Sequence, residues 1–201
     1  MFKWLLFLSL ICTGYLVAET KVLVFAGSTR QDSLNKKLAR EAVRLAQQSG
    51  AFVKWIDLRD YPMPFYDRDL ETQQGMPENA KKLRNLMKES DAIMIATPEY
   101  NGSISGVLKN AIDWASRDER GQPSREAFKG KRFAIMSASP SEGGGNRALQ
   151  HLRTIIQDIG GEVIPLQVSV PNASHAFTPQ GELKDVQIKD QLEQEVQQLL
   201  S

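Results

Sequence analysis

The residues best suited to holding a ligand fall in two short segments of the chain. In the first, Gly27-Ser28-Thr29-Arg30-Gln31-Asp32-Ser33-Leu34-Asn35, hydroxyls, a guanidinium and an amide separate an apolar run, Lys21–Ala26, from a segment with helical periodicity. A buried strand, a loop of this composition and a helix start form the layout that binds a phosphate, because a helix N-terminus carries unpaired N–H groups and the positive end of the macrodipole. Gly27 permits a sharp turn and close approach to an anion. Ser28, Thr29 and Ser33 offer hydroxyls, Arg30 offers charge, and Asn35 offers a cap or an amide donor. An ordinary strand-to-helix turn capped by Ser33 is the competing reading. The segment lacks the Gly-Lys-Ser/Thr ending of a P-loop and the Gly-x-Gly-x-x-Gly dinucleotide fingerprint, which excludes both.

The second segment, Thr97-Pro98-Glu99-Tyr100-Asn101-Gly102-Ser103-Ile104-Ser105-Gly106, follows the apolar run Asp91–Thr97. Pro98 keeps Thr97 extended and carries the chain away from the sheet edge. Asn101-Gly102 favours a tight turn with positive φ, leaving backbone N–H groups free to face a planar ring. A conventional turn, with a helix started by Ser103 or Ser105, is the alternative.

The elements around these loops follow from periodicity. Lys21–Ala26, Phe52–Leu58, Asp91–Thr97, Arg132–Ser137 and Glu162–Val168 read as strands. Between and after them, apolar stripes through Leu34–Leu45, Ala80–Met87, Leu108–Ala115, Ala148–Ile159 and Ile188–Leu199 read as helices, with a proline-marked loop at Pro62, Pro64 and Pro77. Alternation of this kind predicts an α/β fold: a five-stranded parallel sheet, order 2-1-3-4-5, covered by helices on both faces. Its ligand crevice lies at the carboxyl ends of strands one and three, where the winding reverses. The two candidate loops are the ones that follow those strands.

With 201 residues and a net charge of +1, the chain is suited to one well-buried domain, and no acidic or nucleic-acid partner is implied. Cys12 is the single cysteine, and His151 and His175 lack ligand spacing, so no cysteine or histidine metal site is expected. The domain is expected over 21–201, behind an apolar segment at 1–20. The run Trp4–Ala18 would make a helix of about 22 Å, short of the roughly 30 Å hydrocarbon core. It fits a cleaved secretory signal, an uncleaved membrane anchor through residues 4–18, or an untargeted extension. The stretch holding Arg117, Arg120, Arg125, Lys129, Lys131 and Arg132 reads as a solvated loop, with a contact to a ligand phosphate as the alternative.

Three motifs together, Gly27-Ser28-x-Arg30-x-x-Ser33-x-Asn35, Thr97-Pro98-Glu99-Tyr100-Asn101 and Leu108-Lys109-Asn110-Ala111-Ile112-Asp113-Trp114, resemble those of the NADPH-dependent FMN reductase family, which includes bacterial quinone and chromate reductases. The resemblance runs from Lys21 to the C-terminus, through Pro64-Phe65-Tyr66-Asp67 and Gly143-Gly144-Gly145. It implies a flavodoxin-like three-layer sandwich holding FMN non-covalently. By the same resemblance, Ser28, Arg30, Ser33 and Asn35 grip the FMN phosphate, Pro98, Glu99, Tyr100, Asn101 and Gly102 line the ring edge, and Ser139 belongs to a third flavin-side loop. It further implies ping-pong transfer of hydride from NAD(P)H through FMN to a quinone, flavin or similar acceptor, with no catalytic side chain and no metal. A homodimer or dimer of dimers and a cytoplasmic setting are also implied, the latter at odds with the apolar N-terminus. The alternative is a flavodoxin-like electron carrier without NAD(P)H turnover of its own.

Overall fold

A computed structural model describes residues 19–201, so the signal or anchor reading of residues 4–18 lies outside the described residues. Among the described residues, no helix is long and apolar enough to cross a membrane. The elements run β1 (Lys21–Ala26), α1 (Leu34–Gln48), β2 (Phe52–Asp57), α2 (Arg68–Gln74), α3 (Glu78–Glu89), β3 (Ala92–Ala96), α4 (Gly106–Ala115), β4 (Arg132–Ala138), α5 (Asn146–Asp158), β5 (Glu162–Val163), β6 (Val168–Val170) and α6 (Val186–Leu200). All pairings are parallel, in the order β2-β1-β3-β4-β5, with β6 also pairing β4. Ala26 sits opposite Ala96 in the register of β1 and β3, so the loops after these strands leave the sheet side by side. This is the flavodoxin-like arrangement.

Strand side chains alternate between the faces, and each face has its own core. Val22, Val24, Ala26, Met94, Ala96 and Met136 face α1 and α6, whose Leu38, Ala42, Leu45, Leu192, Val196 and Leu199 cover them. Leu23, Phe25, Ile93, Ile95, Phe133 and Ile135 face α3, α4 and α5, through Leu83, Met87, Leu108, Ile112, Leu149, Leu152 and Ile156. Each of the buried Val, Leu, Ile, Met and Phe side chains among them contributes about 1.5–3 kcal/mol by leaving water. The two filled faces hold the strand ends, and therefore the loops, in fixed relative positions.

Three sequence expectations are corrected. The fifth strand, expected to run unbroken over Glu162–Val168, is interrupted, and among the described residues the sheet has six strands. The ladder proceeds through Glu162 N–H to Lys131 O and Ile164 N–H to Phe133 O, then meets Pro165, which has no N–H to donate. Arg153 serves the carbonyls freed by the break, donating to Val163 at 3.3 Å and Ile164 at 3.1 Å, while the Leu166 N–H turns to Gln198 Oε1. The proline-marked loop also holds a helix, α2, capped by Asp67 Oδ1 on the N–H groups of Asp69 and Leu70. Six of its seven residues are polar, and a lone Leu70 gave no apolar stripe to read.

The basic stretch, finally, is only partly solvated. Arg117 donates twice to the buried Glu71 carboxylate, Lys131 reaches Lys88 O, and Arg132 holds the carbonyls of Gln198 and Leu199 at the end of α6. Burial pushes the Glu71 carboxyl up, but hydrogen bonds from Arg117 and Arg68 outweigh it and hold the group below its ordinary range. These cations brace the fold.

Beside the broken strand, α6 buries Glu195 completely, and neither carboxyl oxygen has a hydrogen-bond partner. Burial drives its acid well above the ordinary carboxylate range, opposed by the nearby Ile135 N–H and Arg153. A carboxyl whose folded pKa is raised gives its full stability below the unfolded pKa, and that stability is lost as pH rises through the folded value. Melting temperatures measured from pH 5 to pH 8 are therefore expected to show Glu195→Gln gaining on wild type as pH rises. A gap independent of pH would refute this assignment.

Candidate functional site

The site begins where β1 ends. The Gly27 N–H donates to Ala96 O at 2.8 Å, which joins the first loop to β3. Ser105, the N-cap of α4, donates its hydroxyl to Gly27 O at 2.6 Å and accepts from the Leu108 N–H. A Cβ on Gly27 would lie 2.9 Å from Leu108 Cβ, closer than packed carbons come. Here glycine is required by the approach of α4. The loops after β1 and β3 are thus fastened together at their bases.

Past Gly27 the loop opens outward. Ser28 is buried and accepts from the Arg30 N–H, whereas Thr29, Arg30, Gln31 and Asp32 are exposed. Ser33 caps α1 by accepting from the Lys36 N–H, and the first turn of α1 holds no acid. Among the described residues the Arg30 guanidinium is in no ion pair, while Asp32 pairs with Lys37 at 2.7 Å. Hydroxyls, an unpaired guanidinium and an acid-free helix start make a donor set suited to an anion. Asn35 behaves differently from Ser28, Arg30 and Ser33. Its amide is buried and forms a reciprocal pair with the Ala138 backbone, both bonds 2.9 Å, so it joins α1 to the end of β4.

The loop after β3 carries a tight hairpin. Tyr100 and Ser103 exchange backbone hydrogen bonds of 2.9 and 3.1 Å. The two central residues, Asn101 at φ 52° and Gly102 at φ 78°, have the double positive φ of a type I′ turn. Pro98 is buried behind this turn and Tyr100 is half exposed on it. Glu99 points to α5, where its carboxylate accepts from the Arg147 N–H at 3.2 Å and from Arg147 Nε at 2.8 Å. One turn along α5, His151 Nδ1 lies 2.9 Å from Ser103 Oγ. Sequence reasoning missed this brace. Its only trace was the i, i+4 spacing of Arg147 and His151, uninformative until the hairpin is placed against α5.

The third loop comes up beside the second. Ser137 donates to Thr97 O at 2.7 Å, and Ser139 exchanges a hydroxyl contact of 3.0 Å with Ser141. Gly145 caps α5 at φ 90° in a space that a Cβ could not share with Ser137. The Leu108–Trp114 motif acts one layer back. Asn110 Nδ2 and Trp114 Nε1 both donate to Pro64 O, at 3.0 and 2.8 Å, while Asn110 Oδ1 accepts from the Tyr66 N–H. This clasp holds the Pro64–Tyr66 segment against α4. Among the described residues, no cluster of three or more His, Cys, Asp or Glu could hold a metal.

A sheet of order 2-1-3-4-5 with an anion-suited loop after β1 and a type I′ turn after β3 is the frame of a flavodoxin-like flavin protein. Residues 20–175 match the family model for NADPH-dependent FMN reductase, and the chain belongs to that family. It is an oxidoreductase with FMN as cofactor and NAD(P)H as reductant. An NAD(P)H-dependent FMN reductase from Pseudomonas aeruginosa is 37% identical over 184 residues, covering 90% of this chain and 94% of the relative. A quinone reductase from Pseudomonas putida is 36% identical over 166 residues, covering 82% of this chain and 84% of the relative. Among solved structures, FerB, a flavoenzyme NAD(P)H:(acceptor) oxidoreductase from Paracoccus denitrificans, aligns with a TM-score of 0.74 at 28% identity, covering 90% and 97% of the two chains.

The junction at Gly27 is directly testable. Overpacking at this contact is expected to make Gly27→Ala less stable by about 1–3 kcal/mol in urea denaturation. In the Leu108→Ala background the same substitution should lose most of that penalty. Strictly additive losses would show that the two residues do not press on one another.

Proposed function

We propose that this chain transfers two electrons from NAD(P)H to a quinone-class acceptor in a ping-pong cycle, with FMN held at the carboxyl edge of its sheet. The observation that carries this reading is the hydrogen-bonded junction at Gly27, which sets an anion-suited loop beside the exposed type I′ turn at Asn101-Gly102. One end of that arrangement suits a phosphate and the other a flat ring, and FMN has both. In this reading Ser28, Arg30 and Ser33 hold the phosphate. Pro98, Glu99, Tyr100, Asn101 and Gly102 line the ring edge, with Ser139 beside them, and Asn35 keeps the first and third loops in register. When bound, FMN would supply the two-electron redox chemistry that links reductant and acceptor.

The protein supplies orientation and a fixed field. The Tyr100–Ser103 turn is held from behind by Arg147 and His151, so its backbone donors need not reorganise when charge develops in front of them. No side chain is required as nucleophile, acid or base. Successive use of one site by reductant and acceptor would give the ping-pong order. The reading places the reductase domain at 21–201, treats residues 1–20 as a signal or anchor, and takes the working form as a homo-oligomer.

The test is the visible spectrum of the purified, FMN-loaded protein before and after NADPH. Bleaching of the flavin bands, recovery on adding a quinone, and parallel initial-rate lines for the two substrates are expected. Bands that persist in NADPH and NADH would instead make the chain an electron carrier. In Arg30→Ala/Ser33→Ala, FMN affinity is expected to fall by ~10-fold or more, equivalent to the loss of about 1.4 kcal/mol. The turnover of the variant saturated with FMN should change little. An unaltered dissociation constant would remove the phosphate from this loop.

A further inference from the structure

Asn35 and Lys36 follow one another in the first turn of α1, yet their side chains grip opposite sides of the sheet. Asn35 holds the Ala138 backbone at the end of β4. Lys36 reaches the other way, placing Nζ 2.6 Å from Asp57 Oδ2 at the end of β2. In the order β2-β1-β3-β4 these anchors flank β1 and β3, the two strands whose loops build the site. The Lys36 residue is 1% exposed, and Asp57 is fixed in turn by accepting the Arg59 N–H through its other oxygen. Lys36 also gives its own N–H to Ser33 Oγ. The 28–33 loop therefore starts at a glycine locked to β3 and ends in a helical turn clamped on both flanks, with Thr29–Asp32 left exposed between them.

Stability alone is a poor reason for this ion pair. Burying the Lys36 ammonium costs several kcal/mol, and a well-packed apolar pair of similar volume is commonly as stable or more so. What an apolar pair lacks is direction. The Lys36–Asp57 bond ties the first turn of α1 to the end of β2 and so fixes the angle at which the helix, with the positive end of its dipole, starts. A phosphate at residues 28–33 would meet donors already aimed by that tie.

We propose that Lys36, held by Asp57, is a positioning residue that sets the preference of the 28–33 loop for a phosphorylated flavin over its unphosphorylated counterpart. The proposal rests on the reading that this loop takes the FMN phosphate. It concerns residues whose side chains do not themselves touch the ligand.

The experiment titrates the full-length protein with FMN and with riboflavin, following quenching of flavin fluorescence, and records thermal melts alongside. Lys36→Met/Asp57→Leu keeps an apolar pair of similar volume and is expected to melt at or above the wild-type temperature. Its FMN dissociation constant should rise ~10-fold, with that for riboflavin held within about a factor of two, so the ratio between them falls. Lys36→Met alone, with Asp57 left at the partly hydrated end of β2, provides a second background in which the same fall is expected. A folded variant with an unchanged ratio overturns the role of Lys36. Wild-type protein that binds riboflavin as tightly as FMN would overturn the phosphate reading of the loop itself.

Discussion

The structure turns on the contact between Gly27 and α4. At that point a strand end, a neighbouring strand and a helix start share a space that admits no Cβ. The Gly27 N–H bonds to β3, its carbonyl accepts from Ser105, and Leu108 packs 2.9 Å from where a side chain would begin. The bonds are ordinary in strength, but they fix the roots of both site loops at once. Because an unpaired buried backbone group costs about as much as a lost hydrogen bond, the arrangement has few alternatives.

From that point the bracing spreads through side chains that bridge elements rather than through regular ladders. Ser137 ties the third loop to the second, Asn35 ties the first helix to the third loop, and Arg147 and His151 support the hairpin from α5. Behind them Asn110 and Trp114 clasp the Pro64–Tyr66 segment. Such a network suits a protein whose cofactor performs the redox step. What the chain must provide is donors that stay in place, and each donor-bearing loop here is held by at least one side chain from another element.

Much of this was legible in the residues. Strands buried on both faces read as unbroken apolar runs, and α1, α3, α4 and α5 each show a stripe because one side must cover the sheet. The type I′ turn was readable at Asn101-Gly102, since those residues tolerate positive φ at low cost. The break in the fifth strand was less so. Pro165 marks a ladder defect but does not say whether the chain resumes pairing, and that depended on Arg153 and Gln198 serving the groups set free. Helix α2 was invisible because its stability comes from the Asp67 cap and from Glu71 meeting Arg117 across 46 positions. The Arg117 stretch looked solvated for the same reason: its partners are distant in sequence.

By itself, then, the sequence determined the fold class, the strand order, the two candidate loops that the fold brings together and the family to which the chain belongs. Each of these depends on local periodicity or on short motifs, and so on interactions within a few residues. Tertiary structure alone decided which polar side chains of the candidate site are left exposed and which are buried as braces between elements. Asn35 and Lys36 show the difference. They are adjacent and polar, and they lie in the same helical turn as the cap. Only the packed sheet reveals that one grips β4 and the other β2, because their partners are 103 and 21 residues away.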